Sequence, residues 1–110
     1  MANIPDSHPR KASLLSRQRI VEATKDGLLA DSAMIAHGRG EAFDYLLGEK
    51  TTDSAKLAIK EVAARLIAAK NPVISVNGNT VVLAGKALIR VAAILNCPIE
   101  VNIYYRTDER

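Results

Sequence analysis

Aromatic side chains are scarce in this 110-residue chain: 4%, with one Phe, three Tyr and no Trp. The scarcity excludes a core built on large rings, and it removes the stacking partners on which single-stranded nucleic-acid binding relies. Cysteine occurs once, at Cys97, so no internal disulfide is available; its apolar setting beside Pro98 reads as a packed core thiol. Only two histidines are present, His8 and His37, and no Cys or Asp cluster has metal-ligand spacing, which argues against a zinc site. No apolar run is expected to approach membrane-spanning length, and the N-terminus lacks the apolar stretch of a signal peptide. The expectation is a cytoplasmic protein with neither a membrane nor a nucleic-acid partner.

What is abundant is small and branched aliphatic. Hydrophobic residues make up 48% of the chain, so Ala, Ile, Leu and Val must supply the core. A domain of this length buries about two thirds of its unfolded surface. The net charge of +3 fits an anionic ligand, although acidic and basic residues are interleaved.

Ser7 is placed to cap a first helix, with Pro9 tolerated in its opening turn; Gly27 is a C′ stop after Asp26. Leu14, Val21 and Leu28 form the apolar row of this helix, with Ile20 at its margin. Arg17 falls in the middle of that row. A charge there either snorkels outward or meets a buried anion. Arg10, Lys11, Arg19 and Lys25 sit elsewhere around the helix, where solvation is expected.

Residues 37–52 carry an imidazole, a guanidinium, an ammonium and three carboxylates around three glycines. A short helical turn over 30–36 and a brief helix over 41–47 are expected to flank a loop at Gly38-Arg39-Gly40. There the glycines would allow positive φ or close approach to a ligand, and Arg39 would present its planar donor fork. A salt-bridged helix connection and an anion site fit this composition equally well. His37 suits anion binding, acid–base work or a structural hydrogen bond. Glu41, Asp44 and Glu49 could position Arg39 or Lys50, reach Mg²⁺ through water, or form a solvated face.

Thr51 or Thr52 caps the next helix, whose stripe is Ala55, Ala58, Ile59, Val62, Ala63, Leu66 and Ile67 until Asn71-Pro72 stops it. A β-branched strand over 73–76, a helix to about Leu95 and an alternating strand over 99–105 then make one βαβ unit. Two strands make a poor sheet, so the expected fold is an incomplete α/β domain, or one completed by another chain. Ligands of open parallel sheets bind beyond the carboxyl ends of the strands, here Asn77-Gly78-Asn79 and Tyr104-Tyr105-Arg106. Asn-Gly alone is a common turn signal. Neither a Walker loop nor a dinucleotide fingerprint is present, and no Ser-His-Asp or Cys-His nucleophile arrangement can be drawn.

Four blocks occur in order: Ile4-Pro5 with Ser7-His8-Pro9-Arg10; Leu14-Leu15 with Arg17; the run from Ala36 to Thr52; and Pro72 to Asn79. Together they resemble the archaeal phosphopantothenate synthetases, also called 4-phosphopantoate–β-alanine ligases. The resemblance covers nearly the whole chain. It implies an N-terminal helical region with an ATP- and substrate-binding loop over 1–71, and the start of a Rossmann-like α/β domain over 72–110. It also implies homodimers that join 4-phosphopantoate to β-alanine in coenzyme A biosynthesis, with ATP and Mg²⁺. The family's two N-terminal ATP-binding arginines fall on Arg17 and Arg39. His37, Lys50, Asn77 and Asn79 are the substrate-holding or catalytic candidates. The family's C-terminal nucleotide-binding segment has no counterpart here, so an N-terminal portion or truncated member is expected. The alternative is a non-catalytic module that binds a nucleotide or phosphometabolite.

Overall fold

The computed structural model describes residues 3–103, 106 and 108. Among these the order is α1 (Lys11–Lys25), α2 (Ser32–Leu46), α3 (Asp53–Ala68), β1 (Ile74–Asn77), α4 (Gly78–Leu95) and β2 (Ile99–Asn102). The strands pair in parallel, Ile74 with Ile99 and Val76 with Val101, joined by the α4 crossover. The fold is α/β with an open two-stranded sheet. Residues 104 and 105 of the expected second strand lie outside the described residues, and Arg106 is exposed.

The helix ends follow local chemistry. Gly27 (φ 75°) closes α1, where Gly27 N–H donates to the Thr24 carbonyl and Leu28 N–H to that of Ala23. Gly48 (φ 82°) closes α2 with the same pair of bonds, from Gly48 to Tyr45 and from Glu49 to Asp44. Asn96 (φ 50°) does so for α4, donating to Ala93 while Cys97 donates to Ala92. Thr52, one of the two expected caps, accepts from Ala55 N–H at the start of α3. Ser7 does not cap α1. The helix begins later, at Lys11, and Arg10 N–H instead donates to His8 Nδ1 at 3.0 Å. Pro9, which has no N–H to offer, is left outside the helix.

The core lies where α1, α2 and α4 meet. Ile20 is fully buried with Ala23 and Leu29, against Ala33, Met34, Val82 and Leu83. The buried face of α1 is therefore rotated by about one residue, roughly 100°, from the Leu14–Val21–Leu28 row. Leu28 is exposed and Ile20, expected at the margin, is the centre. The reason is tertiary. α1 touches both α2 and α4, and Ile20 and Ala23 together form the side that two neighbours cover.

Helix α2 overturns a second expectation. Residues 37–40 form no loop; Gly38, Arg39 and Gly40 lie inside one continuous helix, and neither glycine has positive φ. A Cβ at either glycine would meet nothing within 4 Å. Gly78 is the contrary case: a Cβ there would lie 2.5 Å from Leu29 Cδ2, so its close approach is to the core rather than to a ligand.

Contrary to expectation, α4 is long and apolar enough to span a membrane by length and composition. It carries Lys86 and Arg90, packs against α1, β1 and β2, and buries Ala92 in covering one sheet face. The other face is polar: Ser75 Oγ donates to Glu100 Oε2 at 2.7 Å, and Asn102 Nδ2 donates to Ser75 Oγ at 2.7 Å. Helix α3 makes no substantial packing contact with another element among the described residues, and Leu57, Ile59, Val62 and Ile67 are exposed.

These glycines give a paired stability test. Gly38→Ala is expected to stabilise the chain by about 0.5–1 kcal/mol, because the helix loses a flexible residue and no neighbour is displaced. Gly78→Ala is expected to destabilise it by about 1–3 kcal/mol through overpacking against the buried Leu29. Urea unfolding midpoints of both variants check the opposite signs.

Candidate anion-binding site

Two rows of side chains face each other where α1 packs on α2. Arg10 and Arg17, seven residues apart, fall on one side of α1 and its entry. His37, Glu41 and Tyr45 follow at helical spacing on α2. Arg17 Nη1 donates to Glu41 Oε1 at 2.6 Å, and Arg10 Nη2 lies 3.9 Å from Glu41 Oε2. His37 Nε2 lies 3.7 Å from Glu41 Oε1, and it is a buried nitrogen without a hydrogen-bond partner.

The α2 C-terminal turn adds a second carboxylate. Glu49, held at φ 58° just after Gly48, is carried back toward α1. Its Oε1 accepts from Arg10 Nε at 2.8 Å and its Oε2 from Ser13 Oγ at 2.5 Å. The Arg10 guanidinium also lies over the Tyr45 ring, 5.4 Å from its centroid. Arg10 thus joins α1 to both carboxylates, although a solvated role was expected for it. Arg19, also expected in solvent, donates to the Val82 carbonyl at 2.5 Å, and Lys11 pairs with Asp6. What the sequence did offer was the seven-residue interval from Arg10 to Arg17. It places both on one side of a helix but does not say what they meet.

The candidate residues are not brought together in one place. Only Arg17 and His37 share a place, both facing Glu41 Oε1. Arg39, two residues before Glu41, leaves α2 roughly 160° around the helix from it. It is exposed, makes no ion pair among the described residues, and shares its row with the exposed Ile35, Phe43 and Leu46. Lys50 is exposed beyond Gly48. Asn77 is occupied as the cap of α4, its Oδ1 accepting from Thr80 N–H and Oγ1 at 3.0 and 2.9 Å. Asn79 Nδ2 donates to the Ala33 carbonyl at 3.0 Å and ties α4 to α2. Both asparagines therefore have structural work in the fold.

Glu41 and Glu49 pair with Arg10 and Arg17 rather than with Arg39 or Lys50. No group of three or more His, Cys, Asp or Glu side chains able to hold a metal ion occurs among the described residues. With both carboxylates facing guanidinium groups, these residues do not fit a protein-held Mg²⁺. What they can do is present guanidinium donors of fixed orientation to a phosphate or carboxylate.

The hydrogen bond from Ser13, then that from Arg10, hold the Glu49 carboxyl below the ordinary glutamate value of 4.5. A carboxyl whose folded value is depressed adds stability above its unfolded value, and that contribution is lost as pH falls through the folded value. A carboxyl NMR titration is expected to place the Glu49 midpoint below 4.5. Glu49→Gln is expected to flatten the acid limb of the stability curve over that interval.

A family model described as phosphopantothenate/pantothenate synthetase matches residues 54–110. The chain is 50% identical over 110 residues to a 4-phosphopantoate–β-alanine ligase of Thermococcus kodakarensis, covering 100% of this chain and 42% of that protein. It is 52% identical over 107 residues to the ligase of the same name from Methanospirillum hungatei, covering 97% of this chain and 44% of the relative. With the Methanosarcina mazei ligase it shares 47% identity over 110 residues, 100% of this chain and 44% of that one. The chain thus spans about two fifths of the length of the curated relatives it matches. The family match covers more than half of the chain, and the relatives align with it from end to end or nearly so: the chain belongs to the phosphopantothenate/pantothenate synthetase family.

Proposed function

We propose that this chain forms the N-terminal, phosphate-binding part of a ligase that joins 4-phosphopantoate to β-alanine, with ATP going to AMP and diphosphate, in coenzyme A biosynthesis. The observation that carries the reading is Arg17, presented outward from an inner carboxylate within a chain whose full length aligns with about two fifths of a ligase of that name. In the first step the phosphopantoate carboxylate oxygen bonds to the α-phosphorus of ATP and diphosphate leaves. In the second, the β-alanine amine bonds to the acyl carbon, AMP leaves with the acyl–oxygen bond pair, and the amine releases its extra proton.

Negative charge concentrates on phosphate oxygens in the first step, so fixed guanidinium donors lower that barrier most directly. Arg17 is assigned to this task through its placement against Glu41. Arg39 is assigned to a different phosphate or a different end of the nucleotide, because it leaves α2 in another direction. His37 and Lys50 remain the candidates for holding substrate. Asn77 and Asn79 would reach a ligand only with the atoms their structural bonds leave free. A cytoplasmic homodimer is the proposed assembly; the exposed apolar rows of α2 and α3 are surfaces of the kind that partners cover.

The test is AMP release by the whole product of the reading frame that encodes this sequence. AMP formation that requires both 4-phosphopantoate and β-alanine is the expected result. ATP binding without AMP release would assign a non-catalytic nucleotide-binding module instead. Arg17→Ala and Arg39→Ala are each expected to weaken ATP binding by about 1.5–3 kcal/mol, roughly ten- to a hundredfold, as measured by titration calorimetry.

A further inference from the structure

Glu41 is the inner partner of an ion pair whose outer partner faces solvent. Its side chain is 12% exposed, whereas that of Arg17 is 46% exposed. A solute arriving from water therefore meets the guanidinium, while the carboxylate behind it is screened from contact. The carboxylate is itself held from several sides: Arg17 on Oε1, His37 Nε2 facing the same oxygen at 3.7 Å, and Arg10 facing Oε2 at 3.9 Å. Arg10 has its shorter bond elsewhere, Nε to Glu49 at 2.8 Å, so Arg17 is the close counter-charge of Glu41.

We infer that Glu41 is a positioning residue for phosphate binding, fixing the Arg17 guanidinium through its Nη1 so that the remaining donor edge is presented ready-ordered to the anion. The inference rests on the reading of Arg17 as a phosphate ligand. Two effects of opposite sign compete in such an arrangement. A carboxylate beside a guanidinium offsets part of the charge that an anion feels, which weakens binding. It also removes the rotamer freedom that the anion would otherwise have to freeze, which strengthens binding. Here the carboxylate sits behind the guanidinium, farther from the anion than the donors are, and the outward side is wet and screened. Ordering therefore outweighs charge offset, and removing Glu41 weakens anion binding.

The experiment measures the ATP dissociation constant by titration calorimetry for the whole reading-frame product and for Arg17→Ala, Glu41→Gln and the double variant. Gln preserves the volume and an acceptor oxygen but discards the charge that grips Nη1. Glu41→Gln is expected to weaken ATP binding about tenfold, the cost of ordering one long side chain, and to add nothing once Arg17 is Ala. Tighter ATP binding by Glu41→Gln would show the carboxylate to be a competitor and overturn the inference. Equal losses with and without Arg17 would also overturn it, since a purely structural role acts in both backgrounds. If Arg17→Ala weakens ATP binding and Glu41→Gln does not, the inference fails while the phosphate reading stands. If Arg17→Ala leaves ATP binding unchanged, the phosphate reading itself fails, and this inference with it. Should Glu41→Gln lower the folded fraction in thermal unfolding, Glu41→Asp replaces it. Asp keeps the charge on an arm too short for the 2.6 Å contact, with the same direction expected and the same coupling to Arg17.

Discussion

Ile20 is the side chain on which the helical part of this protein turns. Fully buried, it brings α1 against both α2 and α4, together with Ala23 and the connecting residue Leu29. Its burial contributes about 1.5–3 kcal/mol, a large share where few side chains are fully enclosed. Leu29 lies over Gly78, the first residue of α4, so the same small core also sets where the crossover helix begins. Ala-rich surroundings let the helices approach closely without large rings, which the composition does not supply.

The rotation that buries Ile20 also decides which charges on α1 meet α2. With Ile20 and Ala23 inward, Arg17 lies on the flank of the helix facing Glu41, and Arg10 lies on the same side two turns earlier. An enclosed carboxylate is costly unless guanidinium groups and hydrogen bonds surround it, and Glu41 meets that condition from two arginines. The Schellman ending at Gly48 then swings Glu49 back onto Arg10 and Ser13. Packing, helix termination and electrostatics agree here on one geometry. Function on this surface is accordingly expected from guanidinium groups rather than from a nucleophile.

Elsewhere the fold leaves apolar surface open. The outer row of α2, the stripe of α3 and part of α4 expose Ile35, Phe43, Leu46, Ile59, Ile67 and Ile94. The sheet is covered by α4 on one face and polar on the other, where Ser75, Glu100 and Asn102 bond across the two strands. Arg39 stands within this open row of α2, exposed and without an ion pair among the described residues. Gly38 and Gly40 weaken α2 without relieving any contact in the described residues, and nothing in the structure explains their choice over alanine.

Local chemistry was readable directly. Gly27, Gly48, Thr52 and Asn71-Pro72 mark helix ends because each acts on its own backbone or its immediate neighbours. The 3.6 periodicity likewise located α3 and α4, a β-branched run located β1 and alternation located β2, and the ordered motifs identified the family. The reading of Gly38-Arg39-Gly40 as a loop went wrong where a local preference lost to the continuous hydrogen-bond ladder of α2. The rotation of α1 toward Ile20 was out of reach because the apolar row read from α1 points to Leu14, Val21 and Leu28, and only the neighbouring helices decide which side is covered. So the chain by itself determined where α1 and α2 end and where α3 begins, its βαβ unit, its family and its two candidate arginines. Only the tertiary structure decided that Arg17 meets Glu41, that Arg10 bridges Glu41 and Glu49, and that Arg39 stands apart, because ion pairs between helices depend on the packing angle and no single helix encodes it.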